Sequence, residues 1–267
     1  MATLSILISR FVVFAGIAAT SAVAHADALQ SIRERGSLIA AIDVSYPPFG
    51  KLDAAAIESG SDVETARLLA KDMGVKLKIV PVSGAARVPF LLSNKVDVVI
   101  ASFSITEERK KVVDYSLPYA VDYLVVAAPK STAVSQISDL AGKSIAVTRG
   151  TTADIELTGA LQKKGITANV VRYEDEATTN TAVITGQQDI FAASLSTVQS
   201  LEERSPEKSI AIKFNLANYP LAIGIRKNEP ALKAWIDAWV KAGMKNGKLN
   251  KIFVTYFGQS LPTDLAN

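Results

Sequence analysis

The chain alternates short runs of β-branched and apolar residues with stretches whose apolar positions recur at helical spacing. Residues 38–43, 76–82, 97–102, 123–128, 144–149, 168–173, 189–194, 210–214 and 221–226 read as strands. Val96, Val98, Val99, Ile100 and Ala101 form a nearly unbroken apolar run. Such a run suits a strand buried on both faces of a parallel sheet. Helical spacing predicts helices near 85–93, 107–113, 152–164, 176–186, 195–204, 231–246 and 248–257. The clearest helix starts at Ser61, with Glu64 three residues on as a capping box. Val63, Ala66, Ala70 and Met73 make its apolar stripe, and Gly74 ends it. Trp235 and Trp239 share a face of a late helix and read as core. This alternation predicts α/β architecture with mostly parallel sheets.

Asp97 to Ser102 and Asp189 to Ser194 share an Asp, an apolar run and a terminal Ser at equal spacing. That hints at two similar halves, each with a hydroxyl at the carboxyl end of a strand, where open α/β sheets bind ligands. No Pro/Gly/Ser-rich linker separates consecutive domains. The expected crossings are near 118–122 and 215–220. They make the first lobe discontinuous, 27–119 plus 220–267, with 120–219 as the second.

The N-terminal stretch stands apart. Arg10 is its only charge, an apolar Val/Ala-rich run follows, and Ala24-His25-Ala26 supplies small residues at an exit. Residues 1–26 are therefore read as a secretory signal peptide cleaved near Ala26, with Ala22-Val23-Ala24 a second candidate site. The apolar run is short and Ala/Gly-rich for a membrane span. Export to the periplasm is the expected location.

Composition narrows the chemistry. A net charge of +3 over 267 residues argues against nucleic acid as the main partner. Lys110-Lys111 and Lys163-Lys164 read as solvated helix ends. The chain has no Cys, and its single His is His25 in the leader. Thiolate chemistry, Ser-His-Asp hydrolysis and His- or Cys-ligated zinc are excluded for the mature chain. No metal and no cofactor are expected.

Two strand-to-helix junctions could hold an anion. The first runs from Ser102 through Ser104 and Thr106 to Arg109. It combines hydroxyls, the N–H groups of a helix start and a guanidinium able to bind both oxygens of a carboxylate. A plain capped helix with a surface Arg fits the same residues. The second is Gly150-Thr151-Thr152, a tight turn with hydroxyls at a helix start. Asp43, Tyr46, Pro47, Pro48 and Phe49 form a rigid loop after the first strand, where Tyr46 and Phe49 either wall a ligand or pack the loop. Gly142-Lys143-Ser144 is no phosphate loop, because Ile137 stands where its first Gly would be and a strand follows.

Taken in order, several segments resemble the bacterial extracellular solute-binding proteins, family 3, which serve polar amino-acid ABC transporters. They are Tyr46-Pro47-Pro48-Phe49, Ser61 to Glu64, Arg87 to Phe90, Asp97 to Arg109, Arg149 to Thr152 and Asn250 to Gly258. The resemblance implies a periplasmic-binding-protein fold: two α/β lobes, a ligand cleft between them, and two hinge crossings. It implies closure around an amino acid or related small carboxylate, then docking on a membrane permease. By position, Arg109 would pair with the carboxylate, aided by Ser102 and Ser104. Thr152, beside Thr151, would reach it from the other lobe, and Tyr46 would cover the ligand body. Asp43 would lie near a distal cationic group. A monomer is expected.

Some positions depart from the family. Ser194 stands where an Asp usually meets an α-ammonium, Ala86 replaces an Asn and Ser61 a Phe. Either the ammonium is held elsewhere, with Asp43 a candidate, or the solute is not a standard α-amino acid. The alternative to a receptor is a periplasmic cyclohexadienyl-type dehydratase on the same fold, but no acid occurs at Ser196 or Thr197, where its catalytic Glu would align.

Overall fold

The computed structural model describes residues 27–265. The expected leader at 1–26 and its cleavage site lie outside those residues. The described chain opens with helix α1 (Ala28–Arg35), whose N-cap Asp27 accepts from the Leu29 N–H at 2.9 Å. Periodicity does not predict this helix. Its apolar positions are only Ala28, Leu29 and Ile32, and these are its buried ones.

Strand β1 (Ser37–Ile42), the small hairpin β2 (Lys51–Leu52) and β3 (Glu58–Ser59), helix α2 (Ser61–Met73) and strand β4 (Lys76–Pro81) follow. Next come α3 (Arg87–Leu92), β5 (Val98–Val99) and α4 (Glu107–Lys110). The long strand β6 (Val113–Pro129) leads to β7 (Ser144–Thr148), α5 (Thr152–Lys163), β8 (Asn169–Tyr173), α6 (Glu176–Ile184), β9 (Ile190–Ser194) and α7 (Leu195–Arg204). A second long strand, β10 (Ile210–Arg226), returns to α8 (Pro230–Lys245) and α9 (Lys248–Phe257).

The main sheet has the order β4-β1-β5-β10-β6-β9-β7-β8. β1 pairs in parallel with β4 and β5, and β7 with β8 and β9. Between these parallel ends, β6 and β10 run antiparallel from Ile210 opposite Pro129 to Arg226 opposite Val113. The expected strands 123–128, 210–214 and 221–226 are pieces of these two. Pro118 and Pro220 hide the continuity, because a proline cannot donate to a ladder. Register shifts near Leu221 and Ala222, close to Pro118 and Pro220, accommodate them. The expected helix 107–113 is correspondingly short, since Val113 already belongs to β6.

Both faces of the sheet are covered, which explains the unbroken apolar runs. Ile42, Val98 and Ile100 pack with residues of α1, α2, α8 and α9. Their neighbours Ala41, Val99 and Ala101 face the opposite way, with Leu91 of α3. At the other end Ile145 and Val147 meet Leu157 and Leu161 of α5. Ala146 and Phe191 meet Val183 of α6 and Val198 of α7.

Helix α2 begins at Ser61, but its cap is not the expected box. Gly60 is the N-cap, at φ 128°, and no side chain caps the helix. The Ser61 and Asp62 N–H groups donate to Pro48 O and Phe49 O at 3.0 and 2.9 Å. A Cβ on Gly60 would lie 2.3 Å from Phe49 O, so only Gly fits where this loop meets the helix.

Candidate functional site

The loop from β5 to α4 is pinned at both ends. Ser102 adopts φ 45°, an uncommon conformation for a residue with a side chain. Its N–H donates to Asp62 Oδ2 at 2.6 Å, and Asp62 Oδ1 accepts from Tyr119 OH at 2.7 Å. Two residues on, the loop pairs with β10: Ile105 N–H donates to Pro220 O at 3.0 Å, and Ala222 N–H to Phe103 O at 3.1 Å. Thr106 caps α4, accepting from the Arg109 N–H at 3.2 Å.

Arg109 is buried, with its guanidinium 4.8 Å from the centre of the Phe103 ring. Its Nη1 donates to Ser104 O at 3.1 Å and to Thr152 Oγ1 at 3.3 Å, and its Nη2 donates to Gly150 O at 3.1 Å. Thr152 Oγ1 in turn donates to Ser104 Oγ at 2.8 Å. The two predicted junctions therefore meet through one guanidinium and one hydroxyl. Burial lowers the Arg109 pKa to about 10, with Arg87 adding to the effect, so the group stays cationic at neutral pH.

At the second junction Thr151 caps α5, accepting from the Asp154 N–H at 3.3 Å and donating to Thr148 O at 2.8 Å. The backbones come close here. A Cβ on Gly150 would stand 2.9 Å from Ala85 Cα, and one on Gly84 2.8 Å from Arg149 O.

Tyr46, Ser102, Ser104, Thr151 and Thr152 line a small cavity, joined by Arg87 and Asp122. Phe49 is buried against Tyr46 and Phe257, with ring centres 5.0 and 5.1 Å apart. Asp43 Oδ1 accepts from Ser45 Oγ at 2.7 Å, and its Oδ2 lies 3.4 Å from Arg87 Nη2. Ser194 Oγ donates to Asp122 Oδ1 and sits 3.0 Å from Ser196 Oγ.

Residue patterns do not single out Arg87, Asp62, Asp122 or Glu176, yet all four are buried, and Arg87 and Asp122 line this cavity. Burial raises the Asp62 carboxyl to about 6, Asp122 to about 7 and Glu176 to about 8. It also pushes the Tyr46 hydroxyl well above 10, and the nearby Asp122 and Glu176 add to that rise. One signal was available: Asp122 is an acid directly before the apolar strand run 123–128. Glu176 follows the N-cap Asp175 and reads as an ordinary first-turn acid.

The model of the bacterial extracellular solute-binding proteins, family 3, matches residues 38–259. The L-cystine-binding protein of Escherichia coli K12 is 28% identical over 233 residues, 86% of each chain. The L-arginine-binding protein of Pseudomonas aeruginosa is 28% identical over 224 residues, covering 81% of this chain and 86% of that one. Among solved structures, a mutant of ArgBP from T. maritima superposes with a TM-score of 0.78 at 31% identity, covering 87% of this chain and all of the other.

Proposed function

Because the chain belongs to the bacterial extracellular solute-binding proteins, family 3, we propose that it is the solute receptor of an ABC importer, holding an amino acid or related small carboxylate between two lobes. In this reading the lobes are 27–119 plus 220–267 and 120–219, and β6 and β10 are the hinge crossings. The receptor works in the periplasm as a monomer, after loss of a signal peptide, and delivers its solute to a membrane permease. Among the described residues no helix is long and apolar enough to cross a membrane.

The observation that carries the reading is Arg109. It is rooted beside Ser104 and reaches Thr152 Oγ1 and Gly150 O of the other junction. A solute carboxylate at this point accepts from the guanidinium, from the Ser102, Ser104 and Thr152 hydroxyls, and from the free N–H groups at the start of α5. It also tethers one lobe to the other, which favours the closed form by its differential contacts. Tyr46 supplies the flat cover. The dehydratase alternative has less support, since the relatives above carry the names of binding proteins.

A thermal-shift screen over amino acids, their amine-free counterparts and other small carboxylates tests this reading. A true solute raises the melting temperature. Arg109→Ala is expected to abolish the rise, and full affinity in that variant would remove Arg109 from the role.

A further inference from the structure

Another cavity, of about 610 Å³, opens at the corner where α8 turns into α9. That volume falls among small-ligand pockets, about 300–1,000 Å³. It shares no residue with the small cavity lined by Tyr46, Ser102, Ser104, Thr151 and Thr152. Phe257, the last residue of α9, packs on Phe49 beside that small cavity. The corner lies at the other end of α9, about 15 Å away along a helix of ten residues.

The polar side chains that line the corner can all donate. Lys241 and Lys245 stand about one turn apart on one face of α8. Asn250 Oδ1 accepts from the Leu261 N–H at 2.8 Å, which leaves its Nδ2 group to donate elsewhere. Ser260 and Thr263 add hydroxyls, and no Asp or Glu lines the cavity. The buried Leu261 supplies an apolar wall. The surrounding charge is one-sided. Lys241, Lys245, Lys248 and Lys251 follow one another closely, and no acid occurs between Asp237 and Asp264. Lys248 pairs with Asp72 at 3.6 Å. Lys241 and Lys245 have no ion-pair partner among the described residues. Both are exposed, and like charges four residues apart on a helix repel. An anion between them would turn that repulsion into attraction.

We propose that the α8–α9 corner binds a phosphate-bearing group, carried either by a soluble phosphoester or by the headgroup of an anionic phospholipid. Phosphate oxygens accept from several directions at once. That suits two ammonium groups and three neutral donors better than the two oxygens of a carboxylate would. A bare phosphate ion would leave most of the volume unfilled, whereas an ester sets its carbon atoms against the apolar wall. The inference does not depend on the solute-receptor reading, because no residue of the corner belongs to the carboxylate-binding junctions.

Two measurements on the purified protein test it. Titration calorimetry compares sn-glycerol 3-phosphate with glycerol. Co-sedimentation compares vesicles containing phosphatidylglycerol with vesicles of phosphatidylcholine alone. Saturable binding is expected to one or both phosphate probes, to neither control, and to weaken as salt rises. Lys241→Gln and Lys245→Gln are each expected to cost about fivefold in that binding, the scale of one lysine at an anionic surface. Both side chains are exposed, so neither variant should lower the melting temperature. Lys163→Gln combined with Lys164→Gln removes the same charge as the Lys241/Lys245 double variant, but from the far end of α5, and is expected to leave binding intact. Binding of the soluble ester alone identifies a free phosphoester as the ligand, and binding of vesicles alone identifies the headgroup. Binding of neither probe would overturn the inference. So would binding that the two double variants weaken equally, or that neither weakens, because the attraction would then not belong to this corner.

Discussion

Asp62 Oδ2 accepts the Ser102 N–H at 2.6 Å while Oδ1 accepts the Tyr119 hydroxyl at 2.7 Å. One carboxylate thus fixes the strained residue at the head of the β5–α4 loop. Asp62→Ala would leave a buried N–H and a buried hydroxyl without partners, at about 1–3 kcal/mol each. Chemical denaturation is expected to show a loss of about 2–4 kcal/mol, allowing for partial relaxation. Asp62→Asn can accept from Ser102 and donate to Tyr119, and is expected to keep most of the stability. Equal damage from both substitutions would mean that charge, rather than hydrogen bonding, holds the loop.

Arg109→Lys separates charge from geometry. Arg109 directs three donors at Ser104 O, Thr152 Oγ1 and Gly150 O from one planar group. Lysine keeps the charge but not the fork. Solute affinity is expected to fall about tenfold or more, the scale of one lost charge-assisted hydrogen bond. Titration calorimetry of the variant beside the wild type reads this directly, and unchanged affinity would show that a point charge suffices.

Much of this fold is legible in residue patterns because its causes are local. Strands buried on both faces read as apolar runs, and Thr106 and Thr151 cap the helices that their hydroxyls predict. The continuity of β6 and β10 is not local. It depends on partner strands tolerating Pro118 and Pro220 through register shifts. The candidate site divides the same way. Ser104, Arg109 and Thr152 announce themselves as helix-start chemistry, and the structure brings all three within hydrogen-bonding distance. Asp122, Glu176 and Arg87 gain their meaning only from neighbours far away in the chain. The buried partner of the neutral Ser194 is not legible in residue order, because Asp122 lies 72 positions away.

The raised carboxyls make ligand-free stability depend on pH. Asp62 faces Tyr119, Ser102, Arg87 and Asp43; Asp122 faces Ser194, the Tyr123 N–H, Arg87 and Asp62; Glu176 faces Asp43, Thr148, Arg87 and Asp122. Their folded pKa values, about 6, 7 and 8, exceed the ordinary 3.8 and 4.5. The folded state therefore holds more protons than the unfolded state between those limits. Their contribution is fully present below about pH 4 and declines as pH rises toward about 8. The melting temperature of the ligand-free protein is expected to fall across that window. Glu176→Gln should flatten its upper part, and identical pH profiles for variant and wild type would count against a raised carboxyl at Glu176.

Closure itself can be tested at Gly84. A Cβ there would sit 2.8 Å from Arg149 O and 3.0 Å from Thr151 Cγ2, contacts that join the β4–α3 connection to the start of α5. Backbone at Arg149 cannot retreat without moving the second junction away from Arg109. Unlike Gly150, at φ 70°, Gly84 does not have a positive φ, so alanine brings no backbone strain of its own. If the two halves open and close around solute, Gly84→Ala obstructs only the closed form. The melting temperature without ligand should change little, solute affinity should fall about tenfold or more, and small-angle scattering with saturating solute should retain a larger radius of gyration than the wild type. Wild-type affinity together with wild-type compaction would show that the halves need not approach this closely to hold the solute.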